Sequence, residues 1–125
     1  MTATAWRRTS LAALIIYWFT LVIATHVPKV PEIRLEQGDK LVHVAAYAVL
    51  ALLAAVCWSA WRSPLRRLDF VWLIAALAAY AAIDEITQTP FGRQADFHDW
   101  LADLVGLACG IVAYAVVSRL SRGRV

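Results

Sequence analysis

Ionisable side chains lie near one end of three long apolar segments in this 125-residue chain. They are Asp39 and His43, then Asp84 and Glu85, then Asp99 and Asp103. A charge within a membrane-length segment costs about 2.5–3.5 kcal/mol on insertion scales, so it is retained only with a partner or a function. If the segments alternate across a bilayer, all three pairs lie on the same side. Their positions therefore predict one shared polar site.

His43 and Glu85 are the candidates for catalysis, because an imidazole and a carboxyl group can exchange protons with a substrate. An alternative is a divalent metal held by His43, Glu85 and Asp103, since imidazole nitrogens and carboxylate oxygens are common ligands. The sequence contains no HExxH motif, Ser-His-Asp arrangement or glycine-rich phosphate loop. We therefore assign no resident cofactor and keep a divalent metal as the alternative.

Six further residues are predicted to bind a ligand at this site: Asp39, Tyr47, Gln88, Arg93, Asp99 and Asp103. Asp39, His43 and Tyr47 follow i, i+4, i+8 spacing, which places them on one face of a helix. Gln88 follows Glu85 at i+3. Arg93, in a short loop, is the natural counter-charge for the carboxylates.

Structural roles compete with these functional ones. Asp39 can be a helix N-cap, Asp99 can be a first-turn acid favoured by the helix dipole, and His43 can be a hydrogen-bonded bundle histidine. Glu85 lies inside a span near its C-terminal end, where the helix dipole makes negative charge unfavourable. A structural role therefore explains Glu85 poorly, and we favour a functional one. Four residues are second-tier candidates at a water-accessible interface: His26, Asp84, Asp96 and His98.

Composition identifies the elements that carry these residues. Hydrophobic residues make up 62% of the chain, against about 45–50% in soluble domains. Four segments, 9–27, 40–61, 70–89 and 99–117, approach the ~20 residues that span a bilayer as helices. The predicted fold is all-α: a polytopic membrane protein with one domain over 1–125, a four-helix transmembrane bundle with short loops.

The first segment resembles a signal peptide in following Arg7 and Arg8. We expect a retained helix, because the apolar stretch exceeds the usual 7–15 residues and no small-x-small cleavage site follows before Pro28. In the fourth segment, Gly106 and Gly110 have GxxxG spacing, which permits close helix packing. That packing is expected within the chain, with contact between two chains as the alternative.

Lysine and arginine determine the expected orientation. Eight lie on the side of both termini and four on the other, which predicts cytoplasmic termini and an extracytoplasmic polar site. The pI near 9.2 reflects arginines that flank membrane helices and face anionic lipids. No nucleic-acid partner is therefore expected.

The ordered residues of three segments resemble the VanZ-like family. They are Asp39-Lys40-(two)-His43-(three)-Tyr47, Glu85-(two)-Gln88-(four)-Arg93 and Asp99-(three)-Asp103-(two)-Gly106-(three)-Gly110. The resemblance implies a four-helix domain in the bacterial plasma (inner) membrane and a cell-envelope role that includes a link to glycopeptide (teicoplanin) resistance. It also implies a site core of Asp39, His43, Glu85, Gln88, Arg93 and Asp99. The family usually has asparagine where this chain has Asp103.

Three functions follow as hypotheses. The first is a non-catalytic envelope protein whose polar pocket binds a lipid head group, a lipid-linked envelope precursor or a glycopeptide. The second is an intramembrane enzyme that acts on a lipid-linked substrate in the outer leaflet. A transporter is least favoured, because the inner halves of the segments carry no charges that would line a path.

Overall fold

Four long α-helices form the protein: α1 (Ala3–His26), α2 (Glu36–Trp61), α3 (Arg67–Thr87) and α4 (Phe97–Arg122). The computed structural model describes residues 2–27, 36–62, 64–91 and 95–123, without the side chains of 36–39 and 122. No strand occurs among these residues, and the predicted all-α fold class is confirmed. α1 begins at Ala3, ahead of the apolar stretch, because the Thr2 side chain accepts the backbone N–H of Ala5 (3.2 Å) and caps the helix.

All four helices are long and apolar enough to cross a membrane. At 21 to 26 residues and about 1.5 Å per residue, each exceeds the ~30 Å hydrocarbon thickness of a bilayer. Large aliphatic side chains face outward, including Leu41 (69% exposed), Ile16 (66%) and Ile86 (66%). Such surfaces are suited to lipid rather than water. The chain is a multi-pass membrane protein.

α2 and α4 form the central pair and run parallel to each other. Gly106 packs on Val44 and Gly110 packs on Ala48, so the residue numbers rise together along both helices. A Cβ atom at Gly106 would lie 2.4 Å from the Val44 carbonyl oxygen, and one at Gly110 would lie 2.2 Å from that of Ala48. The GxxxG spacing therefore brings two backbones together within this chain.

α1 and α3 flank the central pair. α1 lies antiparallel to α2, with the Tyr17 hydroxyl donating to the Ala46 carbonyl oxygen (2.8 Å) and Arg7 Nε donating to that of Ala60 (3.0 Å). α3 lies antiparallel to α4, where Trp100 Nε1 donates to the Ala78 carbonyl oxygen (3.4 Å). The C-terminal ends of α1 and α3 therefore meet the N-terminal ends of α2 and α4.

Candidate functional site

Polar side chains are buried together at this meeting point of the four helices, and we call them the polar layer. They are Thr25 of α1, His43 and Tyr47 of α2, Asp84, Glu85 and Gln88 of α3, and Asp99 and Asp103 of α4. Each is no more than 8% exposed. Burial of so many polar groups is costly unless they bond to one another or to a ligand. The shared site expected from the sequence therefore corresponds to a real convergence of side chains.

His43 lies between two carboxyl groups of α4. Its Nδ1 is 2.9 Å from Asp103 Oδ1, and its Nε2 is 3.8 Å from Asp99 Oδ2. The two acids are four residues apart, so both face α2. Glu85 approaches the same point from α3: single ligand atoms of His43, Glu85 and Asp103 lie within 4.8 Å of one another. We call His43, Glu85, Asp99 and Asp103 the histidine cluster.

Asp84 is the centre of a second set of contacts, the Asp84 network, which comprises Thr25, Tyr47, Tyr80, Asp84 and Gln88. Oδ2 accepts the Tyr47 hydroxyl (3.0 Å) and the Gln88 amide (3.1 Å). Oδ1 accepts the Thr25 hydroxyl (3.2 Å) and, at 3.5 Å, that of Tyr80. One carboxyl group thus links α1, α2 and α3 and accepts the hydrogen bonds of several donors.

The position of Asp84 differs from the sequence-based interpretation of it as a water-accessible interface residue. It is 3% exposed, because it lies on the face of α3 that packs against α1 and α2, whose hydroxyl groups donate hydrogen bonds to it. The signal was present: Tyr80, Asp84 and Gln88 follow i, i+4, i+8 spacing, as the stripe on α2 does. Thr25 had no comparable signal, since only the packing of α1 brings it to Asp84.

Glu85 has a structural contact that the sequence did not predict. Its Oε1 accepts the backbone N–H of Asp96 (2.7 Å), and Asp96 is the N-cap of α4. The Asp96 side chain in turn accepts the backbone N–H of His98 (2.8 Å). This bond and the His98 imidazole hold the pKa of Asp96 below its usual value. Asp96 and His98 remain exposed, as expected for interface residues.

Two predicted site residues cannot be placed. Arg93, the expected counter-charge, lies outside the described residues, and so does the side chain of Asp39. His26, the remaining second-tier residue, lies at the edge of the layer, with Nδ1 4.0 Å from Asp84 Oδ1. The described part of the layer therefore brings together four carboxyl groups and the imidazole of His43, with the imidazole of His26 beside them.

A model of the VanZ/LLP1 family matches residues 2–118. The chain belongs to the VanZ/LLP1 family. The match extends through α1, so this helix is part of the family's common architecture and joins the three helices that carried the resemblance. No curated protein and no solved structure matches the chain.

An apolar groove adjoins the polar layer of this VanZ/LLP1 protein. α2 forms its floor, α1 and α3 form its walls, and its two parts have volumes of about 330 and 270 Å³. The part nearer the layer is lined by Trp18, Leu50, Leu77 and Tyr80, and the farther part ends at Arg62. Tyr80 lines the groove with its ring, and its hydroxyl contacts Asp84, so the groove and the polar layer are adjacent at this residue.

The chemistry available to this VanZ/LLP1 protein follows from that arrangement. Carboxylates accept hydrogen bonds from hydroxyl and amide groups, and they attract cations. His43, held between Asp103 and Asp99, has the surroundings of a proton-transfer group or a metal ligand. The groove offers only apolar contact beside this polar layer.

Proposed function

We propose that this VanZ/LLP1 protein binds a membrane lipid of the cell envelope, with the hydrocarbon chain in the groove and the polar head group at the polar layer. The observation that carries the proposal is that the groove and the polar layer adjoin at Tyr80, which lines the groove and contacts Asp84. An amphipathic molecule needs apolar and polar surfaces in this order, and a groove without a polar end has no means of selecting one lipid from another.

The groove extends from the polar layer towards the opposite end of the bundle. Its floor runs along α2 from Leu50 to Trp61, which corresponds to roughly 17 Å at the rise of an α-helix. Measured from His43 of the polar layer, Trp61 lies 18 residues further along α2, or roughly 27 Å, against about 30 Å for the whole hydrocarbon core. A chain that starts at the polar layer and fills the groove therefore passes the bilayer midplane, which favours a chain longer than one leaflet, such as a polyprenyl chain.

The expected orientation places the head group on the extracytoplasmic side. Arginines concentrate at the opposite end of the bundle and predict that this end is cytoplasmic. The polar layer is then extracytoplasmic, where lipid-linked envelope precursors and glycopeptides are found. We include the family's link to teicoplanin resistance in the proposal as the expected cellular consequence of binding such a molecule.

Photocrosslinking tests the proposal directly. Purified protein in nanodiscs is irradiated with a polyprenyl phosphate or a diacyl phospholipid that carries a diazirine in its chain, and the labelled residues are mapped by mass spectrometry. We expect labels at Leu14, Leu50 and Leu77, which line the groove. The two probes distinguish a precursor carrier from an ordinary phospholipid. Labels confined to the outward face of α4 would contradict the proposal.

A substitution that fills the groove tests the same proposal by mutation. Ala54 lines both parts of the groove, so Ala54→Phe should abolish groove labelling and raise teicoplanin susceptibility. Ala113→Phe, on the exposed surface of α4, should change neither. If Ala54→Phe does not fold, the wild type still supplies a test: lipid should slow thiol modification of Cys57, which lines the groove, and leave exposed Cys109 unaffected.

A catalytic function is the second candidate, favoured by one specific contact. His43 Nδ1 lies 2.9 Å from Asp103 Oδ1, a distance at which a carboxyl group can orient an imidazole for proton transfer. Glu85 is the second candidate proton carrier. Turnover of a radiolabelled lipid-linked precursor that is lost in His43→Gln, while the groove labelling persists, would support an enzyme; unchanged turnover would exclude His43 as its catalytic base.

A further inference from the structure

We infer that His43, Glu85 and Asp103 form a site for one divalent transition-metal ion, such as Zn²⁺ or Mn²⁺. The three side chains come from α2, α3 and α4, and one ligand atom of each lies within 4.8 Å of the others. All three are buried. Convergence of an imidazole and two carboxyl groups from three helices is the arrangement used by ligand sets in helical bundles.

The spacing requires only small adjustments. Two ligand atoms at about 2.1 Å from one ion are at most about 4.2 Å apart, and about 3.4 Å apart in a tetrahedron. His43 Nδ1 and Asp103 Oδ1, at 2.9 Å, must exchange their hydrogen bond for the ion and move slightly apart. Ligand atoms of the set that lie as far as 4.8 Å apart must approach each other by roughly 1 Å.

The contacts behind the ligands provide a second, independent indication. In metal sites, the free nitrogen of a ligating histidine commonly faces a carboxylate, and ligating carboxylates are themselves hydrogen-bonded. His43 Nε2 faces Asp99 Oδ2 at 3.8 Å while Nδ1 faces the site. Glu85 Oε1 is oriented by the Asp96 backbone N–H. The Glu85 contact is a hydrogen bond at 2.7 Å, and the Asp99 carboxyl group lies about 1 Å beyond hydrogen-bond distance of His43 Nε2.

The donor set indicates the class of ion. Mg²⁺ and Ca²⁺ prefer oxygen ligands, whereas an imidazole suits Zn²⁺ and its transition-metal neighbours. Three protein ligands leave a further coordination position open, as in catalytic rather than structural sites. An ion there would let an otherwise acidic layer accept the phosphate of a lipid head group. Only this last step rests on the proposed function.

Metal binding is measured without lipid, so its failure is distinguishable from failure of the lipid proposal. Protein carrying no histidine tag is stripped with a chelator, dialysed against Zn²⁺ or Mn²⁺ alone, and analysed by elemental mass spectrometry and calorimetry. We expect about one ion per chain. Absence of stoichiometric binding of any transition ion would overturn the site, whatever the outcome of the lipid crosslinking.

Variants then locate the ion. Glu85→Gln and Asp103→Asn keep side-chain shape and should each weaken affinity at least tenfold. Asp99→Asn, which acts through His43, should weaken it about tenfold, the lower end of the range for outer contacts. His98→Ala, the matched control at an exposed histidine paired with Asp96, should bind as wild type does. Equal losses in His98→Ala and the site variants would overturn the assignment.

A spectroscopic measurement on the wild type covers the case in which site variants do not fold. The chain contains three histidines, so protein labelled with ¹⁵N-histidine gives few imidazole signals. Diamagnetic Zn²⁺ should shift those of His43 at one equivalent and leave those of His26 and His98 nearly in place. His26→Gln and His98→Gln assign the signals. Perturbation of the other two histidines alone would contradict the site.

Discussion

Two helix pairs in this bundle differ sharply in how they meet. Along the seam between α2 and α4, Gly106 and Gly110 bring the backbones into contact. Between α1 and α3, by contrast, large side chains such as Leu14, Trp18 and Leu77 line an open apolar groove. Both pairs are built from apolar helices in the same membrane. Because lipid provides no hydrophobic drive for association, residue size decides whether two helices close together or leave a groove.

The polar layer lies at the end of both the α2–α4 seam and the groove between α1 and α3. The seam brings His43 to Asp99 and Asp103, while the groove ends at Tyr80 and the Asp84 network. The close pair thus brings the imidazole to its two carboxyl groups, and the open pair leaves the groove in which we propose that a lipid chain binds. A site for a membrane lipid needs both properties, since its polar groups must be held in place and its ligand must be admitted.

Breaking the seam should have the largest effect. Gly110→Ala places a Cβ atom 2.2 Å from the Ala48 carbonyl oxygen, so α2 and α4 must separate. We expect a loss of about 3 kcal/mol in the free energy of unfolding, measured by denaturant titration in detergent. Gly123→Ala is the matched control, with its nearest neighbours at 3.8 and 4.0 Å, and should be neutral or slightly stabilising. Equal stability of the two variants would show that the seam is not a close contact.

Disrupting the Asp84 network, which lies next to the groove, should have the second-largest effect. Asp84→Ala leaves the buried hydroxyl of Tyr47 and the amide of Gln88 without their acceptor. We expect a loss of about 2 kcal/mol in the free energy of unfolding, because buried donors without an acceptor are penalised. Hydrogen exchange at the C-terminal end of α1 should also become faster. Asp69→Ala, on the same helix, removes a capping contact to the Arg66 N–H and should lose about 1 kcal/mol. A smaller loss at Asp84 than at Asp69 would contradict the network.

The start of α4 offers a weaker test that depends on pH. Asp96→Ala removes the N-cap of the helix that forms the seam, with an expected loss of about 1 kcal/mol. Because the His98 backbone N–H and imidazole lower the pKa of Asp96 in the fold, its contribution is present above the unfolded-state pKa near 4. It disappears as pH falls through the lower folded value. The free energies of unfolding of the wild type and of Asp96→Ala should therefore differ at pH 7 and converge towards pH 2–3. A difference that stays constant with pH would exclude this linkage.

The smallest expected effect is on the α1 wall of the groove. Tyr17→Phe removes the hydroxyl bond to the Ala46 carbonyl oxygen, and such bonds in membrane proteins average about 0.6 kcal/mol. Tyr114→Phe is the control, because its hydroxyl makes no hydrogen bond within the described ranges. If α1 is held mainly by this bond, Tyr17→Phe should also speed thiol modification of Cys57 in the groove. An unchanged rate would mean that apolar packing and the other bonds of α1, from Arg7 and Thr25, hold the helix in place.

Much of the fold was predictable from composition and local pattern. Apolar length identified the four helices, and the cost of charge in lipid indicated that Glu85, Asp99 and Asp103 face inward. The same reasoning placed Asp84 at the interface, because an acid near a helix end has water within reach in most sequences. Its burial depends on Thr25, 59 residues earlier in the chain, and no local rule connects residues at that separation.

The sequence by itself determined that this is an all-α membrane protein, that small residues at Gly106 and Gly110 permit close approach, and that polar groups gather at one end of the helices. These properties follow from the length, hydropathy and periodicity of single segments. Only the tertiary structure decided that α4 meets α2 in parallel, that Glu85 reaches His43 and Asp103, and that a groove leads from Tyr80 along α1 and α3. Those choices depend on side-chain fit between helices that are distant in the chain, and single-segment patterns carry no record of that fit.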